Sequence, residues 1–167
     1  MMPKILVSAC LLGKPVRYNG RGLGVESSIL QRWLAEGRII ICCPEVAGGL
    51  PVPRPPAEIA GGDGGAVLAG KAAVMDRHGT DISTAFIAGA QQALDACRQY
   101  GISIAVLAEK SPSCGSGMIY DGRFGGTKIP GAGVTTALLR AYGIRVFNQH
   151  AIPAAAEAVG HGQAINP

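Results

Sequence analysis

Charge is scarce in this chain: Asp, Glu, Lys and Arg make up 16% of 167 residues, and aromatic side chains only 5%. The 15 basic against 11 acidic residues leave a formal net charge of +4, scattered with no basic run and no aromatic interleaving. A nucleic-acid partner is therefore not expected. No stretch approaches the roughly 20 apolar residues of a membrane span, so a cytoplasmic protein without a membrane partner is expected. "LVSAC" has the look of a lipoprotein cleavage box, yet only Ile5, Leu6 and Val7 separate Lys4 from Ser8. A secretory signal needs roughly 7–15 apolar residues there. No C-x-x-C pair of the structural-zinc kind occurs among the five cysteines, and their odd number argues against a disulfide framework. No G-x-G-x-x-G follows the first strand, which leaves the dinucleotide-binding form of an α/β fold without support.

What the chain does have is Gly (25), Pro (11) and 48% hydrophobic residues, the composition of short buried elements joined by tight turns. One domain over residues 1–167 is the default at this length. "PKILVSA" reads as a strand buried on both faces. "SSILQRWLAEG" reads as a helix with Ile29, Leu30, Trp33 and Leu34 at helical spacing, Ser27 or Ser28 as N-cap and Gly37 as stop. "RIIICC" is a second strand. The stretch "PEVAGGLPVPRPPAEIAGGDGG" is too rich in Pro and Gly for regular structure and is expected to be a functional loop. "AVLAGKAAVMDRHGTDIS" is expected to form a small β-hairpin about Gly70 and Lys71. From Asp81 a long helix with an Asp or Thr cap carries Phe86, Ile87, Ala90 and Leu94 on one face. A third strand "ISIAVLA", a loop from Lys110 to Pro130, the helix "GVTTALLRAYG", a fourth strand "IRVFN", and an Ala-rich helix with a tail over 150–167 complete the chain.

One joint recurs three times: helix, Gly, strand, in "LAEGRIII", "RQYGISIA" and "RAYGIRVF". Such joints mark βαβ units with right-handed crossovers, so the expected fold is a single Rossmann-like α/β domain with a mostly parallel sheet. In such sheets ligands sit at the carboxyl ends of the strands. Cys10 ends the first strand, Cys43 ends the second and Cys114 follows the third, so the fold gathers them along one rim, while Cys42 and Cys97 read as core filling. Three converging thiols, protonated at an ordinary pKa of about 8.5, call for a cation. Zinc with a water, or an iron-sulfur cluster with one iron unligated, meets that need, and dispersed single cysteines suit the larger group.

"ILVSACLLGKPVRYNG", "CCPEVAGGLPVPRPPAEI", "EKSPSCGSGMIYDG" and "GVTTALLRAYGIRVF", in this order over about residues 3–149, resemble the thiouracil desulfurase family. The resemblance implies a 4Fe-4S cluster on Cys10, Cys43 and Cys114, with the fourth iron open to the sulfur of a thiolated uracil. It also implies attack of water on the C–S carbon and release of hydrogen sulfide without net redox. Soft sulfur on a soft metal, and a metal polarising the bond to be hydrolysed, agree with that chemistry.

Glu45, two residues after Cys43, is expected to be the general acid/base, against the blander reading that it only caps or pairs with Arg54. Ser111 is expected to orient the water or the pyrimidine, with Ser113 as second candidate. Lys110 would offset negative charge on cluster or substrate, and Arg17, Asn19 and Arg54 would bind pyrimidine oxygens or shape the wall. His78, His150 and His161 lie away from the motifs and receive no role. Other readings stay open: a thiolated nucleoside or nucleotide as substrate, a non-catalytic iron-sulfur or zinc sensor, or a hydrolase or sulfurtransferase with Cys10 as nucleophile. No oligomeric state follows from the sequence.

Overall fold

Every residue of the first strand is buried, and the computed structural model, which describes residues 2–165 and side-chain surroundings for 2–160, places it inside the sheet. In chain order the first half comprises β1 (Ile5–Ser8), α1 (Ser28–Ala35), β2 (Ile39–Cys42), α2 (Pro44–Ala47), β3 (Ala57–Ala60), α3 (Gly64–Leu68) and β4 (Ala73–Asp76). The second comprises α4 (Ser83–Tyr100), β5 (Ile104–Val106), β6 (Met118–Tyr120), β7 (Lys128–Pro130), α5 (Val134–Ala141), β8 (Arg145–Phe147) and α6 (Ile152–Ile165). Four strands pair in parallel in the order β2-β1-β5-β8, with Leu6 opposite both Ile40 and Ala105. This is the expected mostly parallel α/β arrangement. No helix of the described residues is long and apolar enough to cross a membrane.

Alternation along the strands feeds two cores. Ile5 and Val7 pack with Leu30 and Trp33 of α1 and Ile152 and Ala155 of α6. Leu6 packs on the other face with Leu94 and Cys97 of α4 and Leu139 of α5. Each such aliphatic side chain, fully buried, contributes roughly 1.5–3 kcal/mol. The helix-to-strand joints turn on Gly37, Gly101 and Gly143, all left-handed at φ 67°, 64° and 80°. Side chains rarely adopt that conformation, and an abrupt entry into the next strand requires it.

The sequence reading needs correction between the second strand and the long helix. The Pro- and Gly-rich stretch after Cys43 holds α2, β3 and the start of α3. Pro44 is tolerated at the first helical position because its missing N–H is not needed there, and Asp63 caps α3 by accepting from Ala66 N at 3.0 Å. The hairpin is real but displaced. Its strands are β3 and β4, antiparallel with Ala57 opposite Asp76, and "AVL" is helical between them. The Lys110–Pro130 loop contains a second antiparallel pair, β6 and β7. A third core of Ile59, Val74, Phe86, Ile119 and Val134 joins both pairs to α4 and α5.

Helix ends differ in detail. Ser27 caps α1 as expected, accepting from Leu30 N at 3.2 Å, whereas α4 starts after Ile82 with Asp81 bonding Ser83 N at 2.9 Å. Leu34 and Ile87, expected on the inner faces, are 46% and 38% exposed. The tail residues Asn166 and Pro167, and the surroundings of His161, lie outside the described residues.

Candidate functional site

At the carboxyl edge of the sheet, the three cysteines lie on the segments that follow the ends of three strands. β1 runs into a 3₁₀ turn (Ala9–Leu12) bearing Cys10, Cys43 is the N-cap of α2, and Cys114 sits in the turn after β5. The Cys10 carbonyl accepts from Gly13, Leu23 and Gly24 backbone N–H groups at 2.8–3.1 Å, which fixes the first loop around the thiol. α2 is seated on α4 by two glycines. A Cβ at Gly89 would collide with the Pro44 carbonyl oxygen, and one at Gly48 with that of Ala85.

All three thiols line one cavity of about 690 Å³, together with Glu45, Ser111, Arg17, Arg54 and Lys110. All five cysteines are free thiols. Burial, then the nearby Cys43 thiol, pushes Cys10 up to about 11. Burial raises Cys43 as well, and the wholly buried Cys114 is raised well above its ordinary value by burial and then by Glu45, Cys10 and Cys43. Arg17 pulls Cys10 down and Arg54 pulls Cys43 down, but neither offsets the rise. As thiolates these groups need a cation, and a soft one suits sulfur donors. Among the described residues no three His, Cys, Asp or Glu side chains are gathered as a single metal ion requires. Three thiols on separate segments lining one cavity form a donor set that suits an iron-sulfur cluster with three cysteine ligands.

Beside the thiols stands a carboxylate held in place. Arg54 Nε donates to Glu45 Oε1 at 3.2 Å, and Ser111 Oγ donates to Glu45 Oε2 at 3.2 Å. The Ser111 oxygen in turn accepts from Ser113 N at 3.0 Å and Cys114 N at 3.1 Å, which leaves its proton for Glu45. Arg54 directs its other donors to Pro51 O and Val16 O, both at 3.0 Å, so it builds the wall rather than offering a free fork. Ser8, buried at the end of β1, accepts from Ala108 N at 3.1 Å and faces Cys114 Sγ at 3.8 Å.

Two of the sequence candidates are not brought to the cavity. Ser113 is fully buried and its Oγ lies 2.8 Å from Thr135 Oγ1, tying the Cys114 turn to α5. Asn19 is exposed in a turn and accepts from Arg21 N at 3.0 Å. Cys97 is buried in the core over α4, as expected; Cys42 packs against the same core but is only half-buried and also borders the cavity. The sequence reading missed Arg77, Glu58, Tyr120, Phe124 and Gln149, which line the same cavity. The signal available was "IYDGRF", an Asp-Gly turn between two aromatics.

It also missed Glu109, whose carboxylate accepts from Ser116 N at 2.7 Å, Lys110 N at 3.0 Å and Asn148 Nδ2 at 2.9 Å. Burial pulls its pKa up, but the backbone N–H groups of Lys110, Ser116 and Gly117 outweigh that and hold it below the usual range.

Fold and site together define an α/β protein with a thiol-lined pocket at the carboxyl edge of a parallel sheet. The chain belongs to the 2-thiouracil desulfurase family, whose model matches residues 5–151. It is 43% identical over 146 residues to the uncharacterized protein YbbK of Bacillus subtilis (strain 168), covering 87% of this chain and 95% of that protein. It is also similar to the solved structure of the 4Fe-4S-dependent thiouracil desulfidase TudS, at 50% identity and a TM-score of 0.86. That likeness covers 95% of this chain and 98% of the TudS chain.

Proposed function

We propose that this protein removes sulfur from a thiolated uracil, yielding uracil and hydrogen sulfide, with Cys10, Cys43 and Cys114 holding a 4Fe-4S cluster. The observation that carries the reading is the convergence of three free thiols from three strand ends on one cavity, next to the Glu45–Ser111 pair. When bound, such a cluster supplies a thiophilic Lewis acid that polarises the C–S bond.

The chain supplies the rest. Glu45 takes a proton from the water that attacks the C–S carbon, and returns it to the departing sulfur. Arg54 and Ser111 hold the two carboxylate oxygens, so the base is oriented before substrate arrives. The balance is hydrolytic: the C=S group and water become C=O and hydrogen sulfide, with no electron donor required. This makes the enzyme a hydrolase in reaction type.

A thiolated nucleotide is a second reading, and the cations favour it. Arg17, Arg77 and Lys110 line the cavity, and no ion pair holds them among the described residues. Lys128 is held below its ordinary value by the Lys110 amine beside it. Neighbouring unpaired ammonium groups suit a phosphate. The test is anaerobic assay of 4-thiouracil against its ribonucleoside monophosphate, following thiocarbonyl absorbance and released sulfide. Sulfide released with uracil or its nucleotide supports the reading, and no release by iron-loaded protein from either compound overturns it.

A further inference from the structure

Among the described residues, two that are not glycine have left-handed backbone, Lys110 (φ 70°) and Phe124 (φ 57°). They sit on different loops, and both line the thiol cavity. Left-handed backbone is unfavourable for any residue with a Cβ, and phenylalanine lacks the short polar group with which Asn or Asp offsets it. Such strain persists only where the surroundings over-determine it. Here they do. Buried Glu58 on β3 accepts from Gly122 N at 2.9 Å and Phe124 N at 3.2 Å through the same oxygen. Gly122 is pressed against β3 so closely that a Cβ would collide with the Ile59 carbonyl oxygen. Asp121 N closes the loop on Thr127 O at 3.0 Å.

The ordinary reason to hold a phenylalanine in a strained place is the core, and that reason fails. Phe86 is 1% exposed inside the third cluster and Phe147 packs on the first, but Phe124 belongs to none of the three. It is half-buried, and it borders the cavity that holds the cysteines. Glycine, which follows at Gly125 and Gly126, would suit position 124 on conformational grounds.

We infer that Phe124 is the platform on which the pyrimidine ring stacks, an inference that rests on the desulfurase reading and adds a specificity residue to it. Thiouracil is flat and uncharged, and stacking uses its face while leaving its edges free for hydrogen bonds and for the sulfur. Aromatic stacking tolerates differences along the ring edge. Phe124 therefore selects for a planar pyrimidine and is indifferent to whether sulfur is at position 2 or 4.

The test compares wild type with Phe124→Gly, Phe124→Leu and Phe124→Tyr in cluster-loaded protein. Four quantities are read: the Kd for uracil by anaerobic dialysis, kcat and KM for 4-thiouracil, iron content, and Tm. The platform predicts that Gly and Leu raise uracil Kd and 4-thiouracil KM about tenfold while Tyr keeps both. Iron is unchanged, and Phe124→Gly is no less stable than wild type because glycine relieves the left-handed backbone. Uracil binding by Phe124→Leu equal to wild type, with lowered Tm in Phe124→Gly, would make Phe124 a packing residue and overturn the inference alone. Iron-loaded wild type that neither binds uracil nor releases sulfide from 4-thiouracil would overturn the desulfurase reading and the platform with it.

Discussion

The two edges of the parallel sheet are built differently. At the amino edge, each helix hands over to its strand through one left-handed glycine, Gly37, Gly101 or Gly143, and the chain is back in the core within two residues. At the carboxyl edge the segments that follow the strands, a 3₁₀ turn, the short helix α2 and longer loops, carry the cysteines, Glu45, Ser111 and the strained Lys110 and Phe124. One edge is made for a rapid return to packing. The other holds buried thiols, a charge pair and unfavourable backbone, and the packed amino half makes that affordable. Substitutions at the two edges should therefore separate stability from chemistry.

The largest effect is expected at the cysteines. Cys10→Ser, Cys43→Ser and Cys114→Ser should each lose bound iron and reduce desulfuration to background, measured as iron per chain and sulfide release. Cys42→Ser and Cys97→Ser should keep both, at a loss of about 1–3 kcal/mol for a hydroxyl buried in the core.

Next comes Glu45→Ala, which should keep iron and lower kcat about 10²–10⁴-fold, the contribution of a positioned acid/base. Arg54→Ala should lower it about tenfold by releasing one carboxylate oxygen. An active Glu45→Ala protein with an unaltered pH profile would move the proton transfer elsewhere.

Glycine substitutions give the sharpest contrast between the edges. Gly101→Ala, at φ 64° on the amino edge, should cost about 1–2 kcal/mol in denaturant unfolding and leave kcat unchanged. Gly89→Ala should cost a similar 1–3 kcal/mol through the Pro44 clash and lower kcat as well, because α2 carries Glu45.

The smallest effect is in pH. Burial pushes Cys97 up to about 11 from an ordinary 9.0, so the folded protein holds that proton longer than the unfolded chain. Its contribution is present below pH 9.0 and fades as pH rises toward about 11. Cys97→Ala should flatten the alkaline fall in stability by that share, read from urea unfolding at stepped pH.

The same contrast explains what was legible in the sequence. The amino edge was readable because its signals are local: a glycine after a periodic apolar helix and a β-branched run after it. The three cysteines were placed on one edge by the strand-end rule, and the cavity brings them together. The subsidiary layer was misread because its order comes from tertiary contact. Pro44 serves as a helix start only once α2 rests on Gly89, and β3 finds β4 across an intervening helix. Asn19 and Ser113 looked like binding residues by type, but a turn engages one and Thr135 the other. Phe124 was signalled only by the Asp-Gly turn before it, since its left-handed backbone is visible only in the fold.

The central claim is that the three strand-end thiols hold an iron-sulfur cluster, and metal analysis of anaerobically purified and reconstituted protein tests it most directly. The account predicts iron and acid-labile sulfide in equal amounts, about four of each per chain. Zinc alone, or no iron after reconstitution, would contradict it.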